Sequence, residues 1–359
     1  MNKKIIFYIP SIEGGGVEKN LYLMIKYLPK YIGKIYIITA DKKNKKYRNI
    51  KFICPNTNFW SKKSRILKNI ICIFLLFKNF RSSKAVILSF QSNVTSIILS
   101  KILRFKVLIR LNTSLKKYFK NYFKRIILQF FYSLSDVIIV NSKFFQRELY
   151  DVNLKSHLIY NLNSFKKKRK RLNFFRNFKG LKILNIGRLT DQKDQITLIK
   201  SLEILKKKGI DFKCCIIGRG TFKDILLNEI KDLNLYKNIS LVGFKNNAEH
   251  YIPESDIFVS SSKFEGLPNV LIESQKYAVP IIASNCPTGP NEILMNGKLG
   301  ELFPVGNYRV LAKKLIRFSQ SKKNLKTKSL IALKYLKRFD PSINSQKYSN
   351  LILNEYEKI

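Results

Sequence analysis

The sequence predicts an α/β protein built from two doubly wound, parallel-sheet domains, and three observations carry that prediction. Apolar runs of four to seven residues alternate with amphipathic helical patterns from one end to the other. The runs are almost continuously apolar, as in Ile5-Ile6-Phe7-Tyr8-Ile9 and Val86-Ile87-Leu88, which suits parallel strands covered by helices on both faces. The alternation breaks once, over 164–180, where Lys and Arg crowd together before a closing glycine, and then it restarts. A chain of 359 residues with 45% hydrophobic content can bury two cores.

In the first half, 4–10 reads as a strand, 17–28 as a helix, 34–39 as a strand, and 66–80 as a helix that is apolar almost all round. Strands follow at 85–89, 106–110 and 137–140. Residues 1–163 make the first domain and 164–180 a basic inter-domain linker. The second domain, 181–340, opens with a strand at 182–186 and a helix in which Ile196, Ile199, Leu202 and Leu205 recur every third residue. Strands at 213–217, 240–243, 256–260 and 280–283 alternate with helices near 223–233 and 269–277. Residues 341–359 read as a helix after a proline stop, able to pack on either domain, a return to the first included.

Composition excludes several classes. Thirteen per cent aromatic residues and repeated apolar runs argue against wholesale disorder, and no fixed-period repeat is present. Five cysteines (Cys54, Cys72, Cys214, Cys215, Cys286) without a C-x-x-C pair argue against a disulfide framework and point to a reducing cytoplasm. Only His157 and His250 could join them in a zinc site, and neither lies near a cysteine in sequence, so no metal site is expected. Pro10, Glu13 and three glycines end the first apolar run too early for a signal peptide. The longest apolar stretch, 70–77, is far shorter than a membrane span.

The balance of 68 Lys+Arg against 23 Asp+Glu gives a net charge of +45. Three readings compete: a surface drifted toward lysine, an anionic membrane partner, or nucleic acid. The clusters 116–125 (KKYFKNYFKR) and 166–179 (KKKRKRLNFFRNFK) interleave cations with aromatics, as a membrane surface would favour. No helix-turn-helix, zinc-finger, RRM-type or KH-type signature accompanies the charge, so nucleic acid is not the expected partner.

Three loops could hold a nucleotide. Pro10 to Lys19 carries Gly14, Gly15 and Gly16 between the first strand and first helix, where bare backbone and a helix N-terminus suit phosphate. It lacks the dinucleotide fingerprint and the Walker lysine, and a plain tight strand-to-helix turn is the alternative reading. Gly187-Arg188-Leu189-Thr190-Asp191-Gln192-Lys193 follows the first strand of the second domain, and its two cations could converge on a diphosphate. By count alone they are two among 68 basic residues, yet a strand's carboxyl end is where open α/β sheets bind ligands. The third segment, Phe264-Glu265-Gly266-Leu267-Pro268-Asn269-Val270-Leu271-Ile272-Glu273, leads from a strand through a glycine turn into a helix, with Pro268 at its first turn. Glu265 lies before that helix and Glu273 more than a turn inside it, so they would serve different parts of one extended ligand. Glu273 could equally be an ordinary polar helix residue.

Taken together these stretches resemble the retaining glycosyltransferases of family 4, which have the GT-B architecture of two Rossmann-like domains facing a cleft. Glu265 and Glu273 match the family's E-x7-E pair, GRLTDQKD its phosphate-binding strand and loop, GGGVEKN its N-terminal donor loop, and IIGRG (216–220) its glycine turn. The stretch from Ala283 to Leu294 resembles a subgroup that assembles bacterial surface glycans, often from UDP-linked sugars. The resemblance implies a metal-independent hexosyltransferase, without cofactor, that takes a nucleotide sugar and a glycan or lipid-linked acceptor at the inner face of the cytoplasmic membrane.

By that similarity Arg188 and Lys193 would hold the donor diphosphate, Glu273 the ribose, and Glu265 the transferred sugar. Backbone N–H groups of Gly266, Leu267, Pro268's successor Asn269, Val270 and Leu271, with Gly15, Gly16, Gly187 and Gly218, would complete the cradle, and Gly243 and Phe244 would lie near the base. The histidine that many members carry at the end of an N-domain strand is absent from 107–114, where Arg110 and Asn112 are the substitutes, or simply strand-end residues. A nucleotide-sugar epimerase or hydrolase of the same fold, and a basic nucleic-acid-binding protein, are the competing readings.

Overall fold

The computed structural model describes residues 4–12, 16–42, 47–112, 122–166 and 172–359. Gly15, residues 116–121 of the first basic cluster and 167–171 of the second lie outside the described residues. The chain divides into two compact units, Met1–Ser164 with Phe339–Ile359, and Phe165–Arg338.

Unit 1 is a sheet of seven parallel strands among the described residues: β1 (Lys4–Tyr8), β2 (Ile35–Ile38), β3 (Ile50–Ile53), β4 (Ala85–Ser89), β5 (Lys106–Leu111), β6 (Val137–Val140) and β7 (His157–Leu158). Their order is β3-β2-β1-β4-β5-β6-β7, with Ile6 of β1 opposite Tyr36 on one side and Ile87 on the other. Strand parity sorts the side chains. Ile6, Tyr8, Ile87, Val107 and Ile109 pack under the helices Arg65–Phe80, Asn93–Leu103, Tyr122–Ser133 and Lys143–Tyr150. Ile5, Phe7, Val86, Leu88 and Leu108 meet the helices Gly16–Tyr27 and Pro341–Glu357 on the opposite face.

The helix Pro341–Glu357 starts where the sequence says it should. Asp340 caps it by accepting from the N–H groups of Ser342 and Ile343, and Pro341 occupies the first turn, where its missing N–H costs nothing. It buries Tyr348 and Ile352 completely in the core of unit 1.

Unit 2 holds six parallel strands: β8 (Leu181–Ile186), β9 (Phe212–Ile217), β10 (Ile239–Gly243), β11 (Ile257–Ser260), β12 (Ile281–Ser284) and β13 (Glu301–Phe303). The order β10-β9-β8-β11-β12-β13 repeats that of the first six strands of unit 1. In each unit the chain starts at the middle of the sheet, winds to one edge, and returns to wind toward the other. The switch point in unit 2 therefore falls between β8 and β11, and ligands of such sheets bind beyond the carboxyl ends of the strands there.

The two doubly wound parallel sheets are the predicted fold class. Three short strands, β3, β7 and β13, come in addition to those expected from the sequence; β7 and β13 carry too few apolar residues to stand out, and β3 is four residues interrupted by Lys51. The expected linker is different in part. The Glu254 carboxylate accepts hydrogen bonds from the backbone N–H groups of Leu172 (2.5 Å), Asn173 (3.1 Å) and Phe174 (3.1 Å), and the Phe174 ring packs edge-on against Tyr251. Residues 172–174 thus belong to the body of unit 2. Among the described residues no helix is long and apolar enough to cross a membrane.

Candidate functional site

The site is assembled in unit 2 where the loops after β8 and β11 flank the switch point. Lys193 ends a single 3₁₀ turn, Asp191–Lys193, and its aliphatic stem passes 3.4 Å from where a side chain on Gly187 would begin. Its Nζ reaches Glu265 Oε1 at 2.5 Å. That oxygen also accepts from Ser262 Oγ at 2.6 Å, and the backbone carbonyl of Glu265 accepts from the Thr288 hydroxyl. Glu265 is 8% exposed, so the pair is largely out of water and its geometry is held rather than sampled.

The two loops are stitched together along their length. Ser261 Oγ donates to the Lys193 carbonyl (3.2 Å), the Lys263 N–H to the Gln192 carbonyl (2.9 Å), and Gln192 Nε2 to the Phe264 carbonyl (2.9 Å). Arg188 is exposed, its guanidinium donating to Gln192 Oε1 at 3.1 Å, while its own carbonyl accepts from Gln195 Nε2. Lys193 is therefore brought to Glu265, and Arg188 stands at the solvent side of the same loop.

Asp194 closes the loop in a left-handed conformation (φ 47°) and caps the helix Gln195–Lys207, accepting from the Thr197 hydroxyl at 2.7 Å and, more loosely, from its N–H. Burial pushes its carboxyl above the usual carboxylate range, against the lowering effect of those hydrogen bonds and of Lys263.

Glycines make the floor of the site by letting backbones touch. A Cβ on Gly218 would lie 1.8 Å from the Gly187 carbonyl oxygen, and one on Gly220 would lie 2.0 Å from that of Leu189. The carboxyl ends of three strands are laced by hydrogen bonds from Gly187 N–H to Ile217 and from Gly218 N–H to Gly243. Beyond Gly243 the Phe244 ring is half-exposed with the Arg219 guanidinium 4.7 Å over it, a flat aromatic and cationic platform.

The helix Asn269–Lys276 begins after Pro268 with no side-chain cap and no acidic residue in its first turn. Its positive end is thus not neutralised from within the helix and suits an anion. The turn that feeds it is buttressed by backbone, since a Cβ on Gly289 would meet the Gly266 carbonyl at 2.3 Å. Leu267 and Leu271 anchor the turn in the core, Gly266, Asn269 and Val270 keep partial exposure, and Glu273, one turn on, is 5% exposed.

The site residues expected in unit 1 belong to the other compact unit. Gly16 opens the helix Gly16–Tyr27. Just before the glycines, the N–H of Ile12 donates to Asp41 Oδ2 (2.5 Å), and buried Lys68 joins Asp41 Oδ1 (3.1 Å) and Ser11 Oγ (3.0 Å). Arg110 is 2% exposed under the helix Pro341–Glu357, donating from Nε to the Tyr348 hydroxyl (2.9 Å) and from Nη2 to Asn161 Oδ1 (2.6 Å), with no hydrogen-bond partner at Nη1. Asn112 follows the end of β5, half-buried. His157 is exposed and His250 half-buried.

Sequence reasoning missed Ser262, Thr288, Arg219, Asp41 and Lys68. Ser262 acts three residues from its partner Glu265, whereas Thr288, Arg219, Asp41 and Lys68 act through partners more than twenty residues away, which their spacing does not mark. Among the described residues no group of three or more His, Cys, Asp or Glu side chains is placed to hold a metal ion.

Residues 166–330, which contain every element of this site, match the family described as Glycosyl transferases group 1. This stretch is a glycosyltransferase group 1 domain. A glycosyltransferase of Methanocaldococcus jannaschii, itself uncharacterized, is 32% identical over 252 residues, 64% of this chain and 62% of the relative. The N-acetylgalactosamine-N,N'-diacetylbacillosaminyl-diphospho-undecaprenol 4-alpha-N-acetylgalactosaminyltransferase of Campylobacter jejuni is 32% identical over 198 residues, 53% of each chain. The matched stretches thus span between half and two thirds of these relatives. Among solved structures, Anabaena HepE in complex with UDP and glucose superimposes with a TM-score of 0.81 at 17% identity, covering 98% of this chain and all of that one. The fold of the group 1 domain and its companion unit is that of the GT-B glycosyltransferases, two Rossmann-like domains.

Proposed function

We propose that this chain is a retaining, metal-independent glycosyltransferase that moves a hexose or N-acetylhexosamine from a UDP-sugar to a lipid-linked, growing surface glycan at the inner face of the cytoplasmic membrane. The observation that carries the reading is the partly buried Lys193–Glu265 pair, Glu265 lying in the turn that leads to the uncapped N-terminus of the helix Asn269–Lys276, on a floor of backbone laid bare by glycines. A cation, a helix end and bare backbone N–H groups are the elements that stabilise a departing diphosphate. A carboxylate held beside them suits sugar hydroxyls.

In this reading Lys193 divides its three N–H donors between Glu265 and the donor diphosphate, and Arg188 adds a second cation from the solvent side. Negative charge grows on the diphosphate as the sugar–phosphate bond breaks. Lys193, with the first-turn N–H groups, stabilises that charge more in the transition state than in the ground state, which is what raises the rate. The acceptor hydroxyl attacks from the face the nucleotide leaves, and the phosphate oxygen takes its proton, so the anomeric configuration is retained. Glu265 holds the sugar and Glu273 the ribose. The Arg219–Phe244 platform beyond β10 suits a stacked base. The lipid-linked acceptor is supported by the diphospho-undecaprenol in the name of the Campylobacter relative, and UDP by the complex formed by HepE.

The test pairs calorimetric titration of UDP with transfer from radiolabelled UDP-sugars to an undecaprenyl-diphosphate-linked acceptor. Lys193→Ala is expected to lower kcat about 100-fold, the cost of removing one donor to a developing negative charge. Glu273→Ala is expected to weaken UDP binding about tenfold with a smaller effect on kcat. Wild-type behaviour of both variants would sink the site assignment. Release of free sugar with no transfer would turn the reading toward a hydrolase.

A further inference from the structure

We infer that unit 1 docks on an anionic lipid bilayer through one helical face, the outer surface of the helices Arg65–Phe80, Asn93–Leu103 and Tyr122–Ser133. This deepens the placement at a membrane proposed above by naming the surface, and it stands on observations of its own.

The three helices cover the same side of the sheet. They are neighbours: Asn69 of the first donates from Nδ2 to Thr95 Oγ1 of the second at 2.8 Å, and the second packs on the third. Each has an apolar stripe too many. The first helix buries Cys72, Leu76 and Phe80 at four-residue intervals, as a sheet-covering helix should, yet Ile66, Ile70 and Phe74 repeat the interval on its outer side and are exposed, Ile66 by 75%. Ile98 and Ile102 form the outer stripe of the second helix. Phe123, Ile127 and Phe130 form that of the third, Phe123 being 74% exposed. Isolated exposed apolar side chains mean little, but stripes on three adjacent helices make a patch that water alone does not favour.

Charge names the occupant. From Lys42 to Ser135, a stretch of 94 residues that contains all three helices, there are 22 Lys and Arg and not one Asp or Glu. Exposed cations such as Lys78, Lys101, Arg104 and Lys124 lie on the helices themselves or just beyond their ends. A second copy would bring two such positive faces together, which repulsion opposes. An acidic polymer would satisfy the charge and leave the aliphatic stripes in water. A bilayer with anionic headgroups takes both, cations at the headgroups and apolar stripes below them.

The test is flotation of the full chain, without nucleotide sugar, on phosphatidylcholine vesicles with or without about 30% phosphatidylglycerol, at about 50 and 500 mM salt. Binding is expected only with phosphatidylglycerol, to weaken at high salt, and to fall at least tenfold in Ile70→Ser/Phe74→Ser and in Phe123→Ser/Phe130→Ser. All four sites are exposed, so the fold is unaffected, and Leu330→Ser/Ile331→Ser in unit 2 should bind as wild type. No binding, binding indifferent to the stripe variants, or a concentration-dependent dimer abolished by them would overturn the proposal. A chain that binds UDP and not vesicles breaks this inference alone. One that binds vesicles and not UDP breaks the transferase reading alone.

Discussion

The two units share one strand order and put it to opposite uses. In unit 2 the carboxyl ends of β8, β9 and β10 are pressed together backbone to backbone at Gly187, Gly218 and Gly220, and a partly buried ion pair stands beside them. In unit 1 Gly14 and Gly15 of the corresponding loop lie outside the described residues, and Gly16 opens the first helix. What is buried in unit 1 is Arg110, a guanidinium held by a tyrosine and an asparagine. The difference teaches that topology sets where a site can be, and that close backbone approach and charge pairing decide whether one is built.

The sharpest way to break that comparison is Arg110→Ala. It removes the buried charge but leaves a cavity and takes away the donor to the Tyr348 hydroxyl, while Asn161 Oδ1 keeps its bond from Asn141 Nδ2, so about 3–5 kcal/mol of stability should be lost in urea unfolding. If Arg110 acts only as a tie to the helix Pro341–Glu357, transfer activity will fall in step with the folded fraction. A loss of kcat in fully folded protein would instead make it part of the chemistry.

A glycine pair comes next in size. Gly218→Ala places a methyl 1.8 Å from a carbonyl oxygen and should cost about 3 kcal/mol or destroy UDP binding by forcing the loops apart. Gly33→Ala in unit 1 meets nothing within 4 Å and carries only the strain of its positive φ of 77°, about 1 kcal/mol. Equal midpoints for the two variants would refute the claim that close backbone approach holds the loops of unit 2 together.

The smallest effect is at Asp194. Its carboxyl is harder to ionise in the folded state than in the unfolded one, so the ionised form costs stability above that raised value, and the cost disappears as the pH falls through it. Asp194→Asn keeps a cap without the charge and should melt at or above wild type at pH near 7. That advantage should vanish at about pH 4, near the unperturbed carboxylate range. Asp194→Ala loses the cap and should cost about 1 kcal/mol.

Much of this was legible in the sequence, and for physical reasons. Strands buried on both faces must be apolar throughout, so β1, β4, β8 and β9 announce themselves; phosphate-suited turns need glycine, so the loops at Gly187, Gly218 and Gly266 do as well. The outward stripe of the helix Arg65–Phe80 was visible as an apolar excess. What could not be read is anything fixed by a partner far along the chain. Thr288 matters only because its hydroxyl meets the carbonyl of Glu265, 23 residues earlier. Arg110 looked like a strand-end cation beside a ligand, and its burial depends on strand parity and on a helix some 230 residues later. Glu254 gathers three N–H groups of a segment that composition alone marks as linker.

The return of Phe339–Ile359 to unit 1 has a consequence for biosynthesis. Unit 2 is an insertion in the covalent order, so the ribosome finishes it before unit 1 has its last helix. During that interval the sheet face that receives Tyr348 and Ile352 is open, and Arg110 lacks its tyrosine. At 5–20 residues per second, about 10–40 s pass between the synthesis of Ser164 and that of Ile359, long enough for an uncovered apolar sheet to find a chaperone or a wrong neighbour. The nascent chain therefore matures in the reverse of its reading order, the later domain first.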